Sequence, residues 1–279
     1  MQTLDDQRKN LNPGESFYTT EVAANYDDIR KKDRYWNWED MVLEKSFSLL
    51  NSGDNIVDCP FGTGRFLPLY KKLNLNIVGI DISEDMLLQA KKKVNEKGME
   101  NKVKLFKTDL NEFKSGEHNL KALVSFRLLH LISPDKVEEY TRNLAKMPSQ
   151  YIFLQVFSVH DFAPMNIISR LGKVLFMGNA SLKDKLVYLA RTAVHIQKKI
   201  FPQLNNVLKK SSAKNMEQTG KDVFCDVTYY HELARIQKTL NEFKFKEKER
   251  FELMDLTHVK TESATRATAL LVLKKISAE

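Results

Sequence analysis

Cysteine is almost missing from this chain: only Cys59 and Cys225 occur in 279 residues, in dissimilar contexts and with no CxxC or Cys/His ligand spacing. That argues against a disulfide framework and against a zinc site, and makes a reducing cytoplasm the expected compartment. The histidines are equally unhelpful as ligands, since His160, His195 and His231 are scattered without metal spacing. Long apolar runs are absent too. The longest, such as Ala269-Leu270-Leu271-Val272-Leu273, are far too short to span a bilayer. The segment Met1 to Arg8 offers no apolar stretch for a signal peptide, so export is not expected. No internal repeat is found.

Apolar residues make up 42% and charged residues 29%, the balance of an ordinary globular protein with one substantial core, or a core and an added subdomain. The formal charge of +8 suits an acidic substrate, an anionic lipid surface or nucleic acid. Its location is more informative than its size. Between His160 and Asp222 there are eleven Lys/Arg and four acids, which is nearly the whole excess.

Along the chain, residues 1 to about 15 are polar and read as a loose tail. A short helix is expected over Glu21 to Asn25, then an aromatic, basic stretch that includes Arg34-Tyr35-Trp36-Asn37-Trp38. Trp38, Met41, Val42, Ser46, Leu49 and Leu50 fall near helical spacing, and Asn51-Ser52-Gly53 ends that helix. Short apolar runs then alternate with helical patterns. Strands are predicted at Asn55 to Asp58, Asn76 to Asp81, Val103 to Thr108, Ala122 to Phe126 and Tyr151 to Phe157. Helices are predicted at Gly64 to Lys72, Glu84 to Lys97 with Ser83 as cap, and Pro134 to Met147. This rhythm predicts an α/β fold with a doubly wound, mostly parallel sheet. It breaks for some sixty-five residues. It resumes with a helix over Tyr229 to Phe243 and strands at Lys246 to Met254 and Ala267 to Lys275.

The stretch Asp58-Cys59-Pro60-Phe61-Gly62-Thr63-Gly64-Arg65 ends the first strand in an acid and turns through two glycines, a form suited to presenting backbone amides to a ligand. It lacks the Lys-[Ser/Thr] of a triphosphate loop and the GxGxxG of the dinucleotide fingerprint. Asp81, at the end of the second strand, is placed to accept from two ribose hydroxyls. Together these signals predict an adenosine-type ligand.

These segments resemble the class I S-adenosylmethionine-dependent methyltransferases, in the branch whose first motif reads Asp-x-Pro-x-Gly-Thr-Gly-Arg. The resemblance covers about residues 20 to 157 and resumes from about 227 to the end. It implies a seven-stranded Rossmann-like methyltransferase sheet with a helical insertion after the fifth strand. The commoner family form has glycine where Pro60 and Phe66 stand, which leaves Gly62 and Gly64 as the close-approach positions and removes any amide contact at Pro60. Val78 to Leu87 is similar to the family's ribose segment, with Asp81, Ile82 and Met86 at the donor. Thr108-Asp109-Leu110 is similar to its adenine segment, where Asp109 would meet the exocyclic amine. Ser125 to His130 is similar to the fourth motif, bringing Phe126 and Arg127 near the sulfonium and His130 into reach as a general base. Tyr18 and, more closely, Tyr26 resemble tyrosines that cover the donor. Asp58 and Arg65 complete the implied donor set. The implied cofactor is S-adenosylmethionine, with S-adenosylhomocysteine as product.

The implied organisation is an N-terminal helical cover (1–50), an S-adenosylmethionine-binding α/β core (51–157 and 227–279) and a basic helical insertion (158–226). In the insertion Leu182, Leu186, Leu189, Ala193, Ile196 and Ile200 form one apolar stripe, as expected of an acceptor lid, of a helix pair that only packs, or of a helix touching an acidic membrane. The expected reaction is methyl transfer to oxygen or nitrogen of a small or lipid-like acceptor, anionic ones included. The alternatives are an RNA acceptor, against which stand the missing RNA-binding module and the missing Asn/Asp-Pro-Pro-Tyr, and a donor-binding protein without catalysis.

Overall fold

The computed structural model describes residues 18–113, 119–160, 228–255 and 265–276. Two helices come first, α1 (Thr20–Arg30) and α2 (Arg34–Ser46), followed by β1 (Asn55–Asp58), α3 (Leu67–Lys72), β2 (Asn76–Asp81), α4 (Glu84–Glu96) and β3 (Val103–Lys107). The second half holds β4 (Leu120–Ser125), α5 (Val137–Lys146), β5 (Ser149–His160), β6 (His231–Glu232), α6 (Leu233–Glu242), β7 (Phe245–Asp255) and β8 (Thr265–Lys275). One sheet runs in the order β3-β2-β1-β4-β5-β8-β7. Strands β1 to β5 are parallel to their neighbours, while β8 lies antiparallel to both β5 and β7. Among the described residues the sheet has eight strands rather than seven because the two-residue β6 adds itself beside β5 at Ser158↔His231.

Both faces of the central strands are covered, which is why Ile56-Val57 of β1 and Ala269-Leu270-Leu271-Val272-Leu273 of β8 read as unbroken apolar runs. Ile56, Ile77, Val124, Phe153 and Val272 face one core with Val42, Leu43, Phe47 and Tyr70. The alternate positions Val57, Val78, Leu123, Ile152 and Leu271 face the other with Ile236, Leu240 and Phe245. Gly79 belongs to the first face, where a side chain would not fit. A Cβ there would lie 2.7 Å from Phe61 Cγ and 2.8 Å from Leu105 Cδ2. Gly79→Ala is therefore expected to cost about 1–3 kcal/mol by overpacking, read as a lower urea midpoint at unchanged slope.

Local signals place most element ends. Ser83 caps α4 by accepting from Met86 N at 3.3 Å, and Asp33 caps α2 by accepting from Tyr35 N at 2.9 Å. Other ends move. The first helix extends to Arg30, α3 starts at Leu67 because Gly64 to Phe66 remain in the turn, and α5 starts at Val137. The buried stripe of α2 differs in part from the spacing read in sequence: Val42 and Ser46 point inward as expected, but Met41 is 59% exposed and Glu39 and Leu43 are buried beside them. Strand β5 continues through His160, so the expected insertion begins later than residue 158. Its apolar stripe, and everything from 161 to 227, lies outside the described residues. Among the described residues no helix is long and apolar enough to cross a membrane.

Candidate active site

The strand order reverses between β1 and β4, so the loops leaving these neighbours diverge and open a crevice at the carboxyl edge of the sheet. The loop after β1 passes through a cis Cys59–Pro60 peptide and turns at Gly62 and Gly64, with φ of 56° and 71°. Three of its amides are used within the protein. Phe61 N donates to Ile80 O at 2.7 Å, Gly62 N to Asp81 Oδ2 at 2.7 Å and Gly64 N to Phe61 O at 3.1 Å. The two glycines then part roles. Nothing lies within 4 Å of a Cβ built on Gly62, which lies on the cleft wall, whereas one on Gly64 would meet Leu67 Cδ1 at 2.7 Å. Gly62 keeps the cleft floor clear; Gly64 lets the helix pack against the loop.

Two strand-end acids are both buried but face different ways. Asp81, on the cleft wall, also accepts from Ser83 N at 2.9 Å. Burial pushes its carboxyl up to about 6, against the opposing donors Ser83, Gly62 and Ile82. Asp58 is not on that wall. Its Oδ2 accepts from Tyr70 Oη at 2.7 Å, its Oδ1 has no partner, and burial pushes the carboxyl up to about 8.

These walls form a partly open cleft with both apolar and polar lining residues. Asp81, Ile82, Met86, Asp109 and Leu110 line it together with Tyr26, Arg65, Phe126 and Arg127. Asp109 also turns its own loop, accepting from Asn111 N at 2.7 Å. His130 is not on the wall: it is buried with its ring 4.8 Å from that of Phe157. Phe66, one of the two departures from the common motif, is on the wall and packs edge-on against Phe126 at 5.1 Å, and Pro60 lies beside it.

The largest feature that sequence reading missed is Glu39, which is fully buried. Its Oε1 accepts from Arg127 Nε at 2.7 Å and Gln155 Nε2 at 2.6 Å, and its Oε2 pairs with Arg65 Nη1. Burial alone would raise this carboxyl, but the charges of Arg127 and Arg65 outweigh it and hold it below the usual value. Arg65 also donates to Asp40 and to Trp36 O and lies 3.7 Å over the Trp36 ring. Arg127 adopts a left-handed backbone, φ 56°, with its N–H donated to Gln155 Oε1 at 2.9 Å. An acid at an inward-facing position of α2, three and four residues before Val42 and Leu43, is the signal that could have found it. Phe61 and Tyr140 join the cleft wall in the same unforeseen way, and Trp36 of the aromatic, basic stretch lines it too. Helix α1 is tied on independently, through Thr63 Oγ1 to Asp27 Oδ1 at 2.6 Å and the Lys93–Asp27 pair. Among the described residues no group of three side chains could hold a metal ion.

Residues 56–148 match the family model described as a methyltransferase domain. A carboxy-S-adenosyl-L-methionine synthase of Nautilia profundicola is 32% identical over 132 residues, 46% of this chain and 54% of that protein. A phosphatidylethanolamine N-methyltransferase of Cereibacter sphaeroides is 25% identical over 119 residues, 42% of this chain and 58% of that protein. The chain thus spans little more than half the length of either relative. Among solved structures, the Burkholderia thailandensis 1,6-didemethyltoxoflavin-N1-methyltransferase, with S-adenosylhomocysteine bound, superposes with a TM-score of 0.53 at 10% identity, covering 92% of this chain and 85% of that one. Residues 56–148 are thus similar to a methyltransferase domain, and the chain shares its fold with the solved 1,6-didemethyltoxoflavin-N1-methyltransferase.

Proposed function

We propose that this protein is an S-adenosylmethionine-dependent methyltransferase acting on oxygen or nitrogen of a small or lipid-like acceptor. The observation that carries the reading is Asp81, a buried strand-end carboxylate that braces Gly62 and lies on the wall of the crevice at the switch point. A carboxylate can accept about four hydrogen bonds, so beside the Gly62, Ser83 and Ile82 amides that orient it Asp81 retains an accepting position toward the cleft for a ribose hydroxyl. Gly62 allows close approach, Asp109 offers a wall carboxylate to an adenine amine, and Ile82, Met86 and Leu110 supply apolar wall for the base. Tyr26, Phe126 and Trp36 add aromatic wall that excludes water. The donor set therefore fits the cofactor, with Asp58 and Gly64 acting from behind the wall.

When bound, the cofactor supplies a methyl group activated on a sulfonium, a strong electrophile. The chain's own part is to align the acceptor and to desolvate it, which supplies much of the acceleration without a dedicated base. The position of His130 behind the wall supports a reaction of that kind. The lipid-like end of the acceptor range draws support from the phospholipid methyltransferase among the relatives.

Tritiated-methyl transfer into a native cell extract, fractionated into RNA, protein, lipid and small molecules, tests the reading. Label is expected in the lipid or small-molecule fraction. Label in RNA would replace the acceptor class. Label in none, with donor demonstrably bound, would leave a binding protein without catalysis.

A further inference from the structure

We infer that Glu39 is a positioning residue that sets the width of the donor crevice by bracing the two loops that diverge at the switch point. It rests on the donor reading only for its affinity measurement. Arg65 follows Gly64 directly in the loop after β1, and Arg127 leaves the end of β4. These strands are neighbours in the sheet, yet their loops part, and both arginines line the cleft. A single carboxylate from α2 holds one guanidinium with each oxygen, Arg127 through Oε1 and Arg65 through Oε2. Gln155 on β5 closes the circuit, since it donates to the same Oε1 and accepts from the strained backbone of Arg127. Asp33, which caps α2, and Asp40, midway along it, take the outer edges of the two guanidiniums at 3.2 Å and 2.8 Å. A buried ion pair flanked by such donors keeps its geometry only while both partners remain. Helix α2 is therefore a strut between the two walls as well as a cover.

The test variant is Glu39→Gln, which keeps the volume but replaces one accepting oxygen by a donor facing a guanidinium. A control, Leu240→Ala, lowers stability in the other core, remote from the crevice. Each is made in a Trp38→Phe background, so that Trp36, under the Arg65 guanidinium, is the remaining tryptophan. At a temperature where all are folded, Glu39→Gln is expected to weaken S-adenosylhomocysteine binding by about tenfold or more, as a small misplacement of a positioned group does, and to shift Trp36 emission. Leu240→Ala is expected to change neither. Gln155→Met serves if Glu39→Gln does not fold, with the same directions expected. An unchanged dissociation constant in Glu39→Gln, or an equal weakening in the control, overturns the strut. If the wild type binds no S-adenosylhomocysteine, the donor reading falls instead, and the strut stands or falls on the Trp36 emission alone.

Discussion

Asp81→Ala is expected to lower the affinity for S-adenosylmethionine by about tenfold to a hundredfold, because it would remove the charge-assisted hydrogen bond proposed to the ribose, worth about 1.5–3 kcal/mol. The same substitution releases Gly62 N and Ser83 N, so the loop that floors the cleft loses its brace at the same moment. Calorimetric titration measures the loss, and unchanged affinity would remove Asp81 from the ribose site. A pH series separates the carboxylate's charge from its shape. Burial raises this carboxyl to about 6, so it is ionised at pH 7 and protonated at pH 5. Protonation takes away an accepting oxygen, and wild-type affinity should fall about tenfold over that interval. Asp81→Asn, with nothing to titrate, should bind weakly and show no such step.

Asp58→Asn changes stability rather than affinity, and its sign depends on pH. The Asp58 carboxyl stands at about 8 in the folded protein against an ordinary 3.8. A raised folded value means the folded state holds a proton that the unfolded chain has released. The contribution is complete below pH 4 and is lost as the pH rises through 8. At 1.36 kcal/mol for each unit, that is about 5 kcal/mol across the interval. Asparagine keeps an oxygen for Tyr70 and adds a buried amide donor without a partner, at about 1–3 kcal/mol. The variant is therefore expected to be less stable than wild type near pH 4.5 and more stable at pH 8. Urea unfolding of both proteins at a series of pH values measures the crossing. Parallel profiles would mean that Asp58 is ionised in the fold.

Asp58 and Asp81 show how far the sequence could be read. Both are acids at strand ends beside a glycine loop, and both carry the family's motif. Which way each points follows from the strands and helices on either side. Tyr70 on α3 takes Asp58 away from the cleft, while the amides of Gly62 and Ser83 fix Asp81 on its wall. Spacing alone could not separate Gly62 from Gly64 either, although one borders open space and the other packs against Leu67. Glu39 lay further out of reach. Its partners are 26, 88 and 116 residues away, so no local pattern relates them.

Determined by the sequence itself were the features that depend on near neighbours. The apolar runs make strands, Ser83 caps a helix, Asp58 to Arg65 makes a turn after a strand, and the strand-helix alternation makes a mostly parallel sheet. These follow from backbone hydrogen bonding and from periodicities of two and 3.6 residues, which act over a few positions. Only the tertiary structure decided how side chains from distant segments share the crevice. It turned three of the loop amides inward, placed His130 behind the wall, and joined Arg65 and Arg127 through one buried carboxylate. Desolvation and charge pairing set those choices, and both depend on what packs against a group rather than on what adjoins it in the chain.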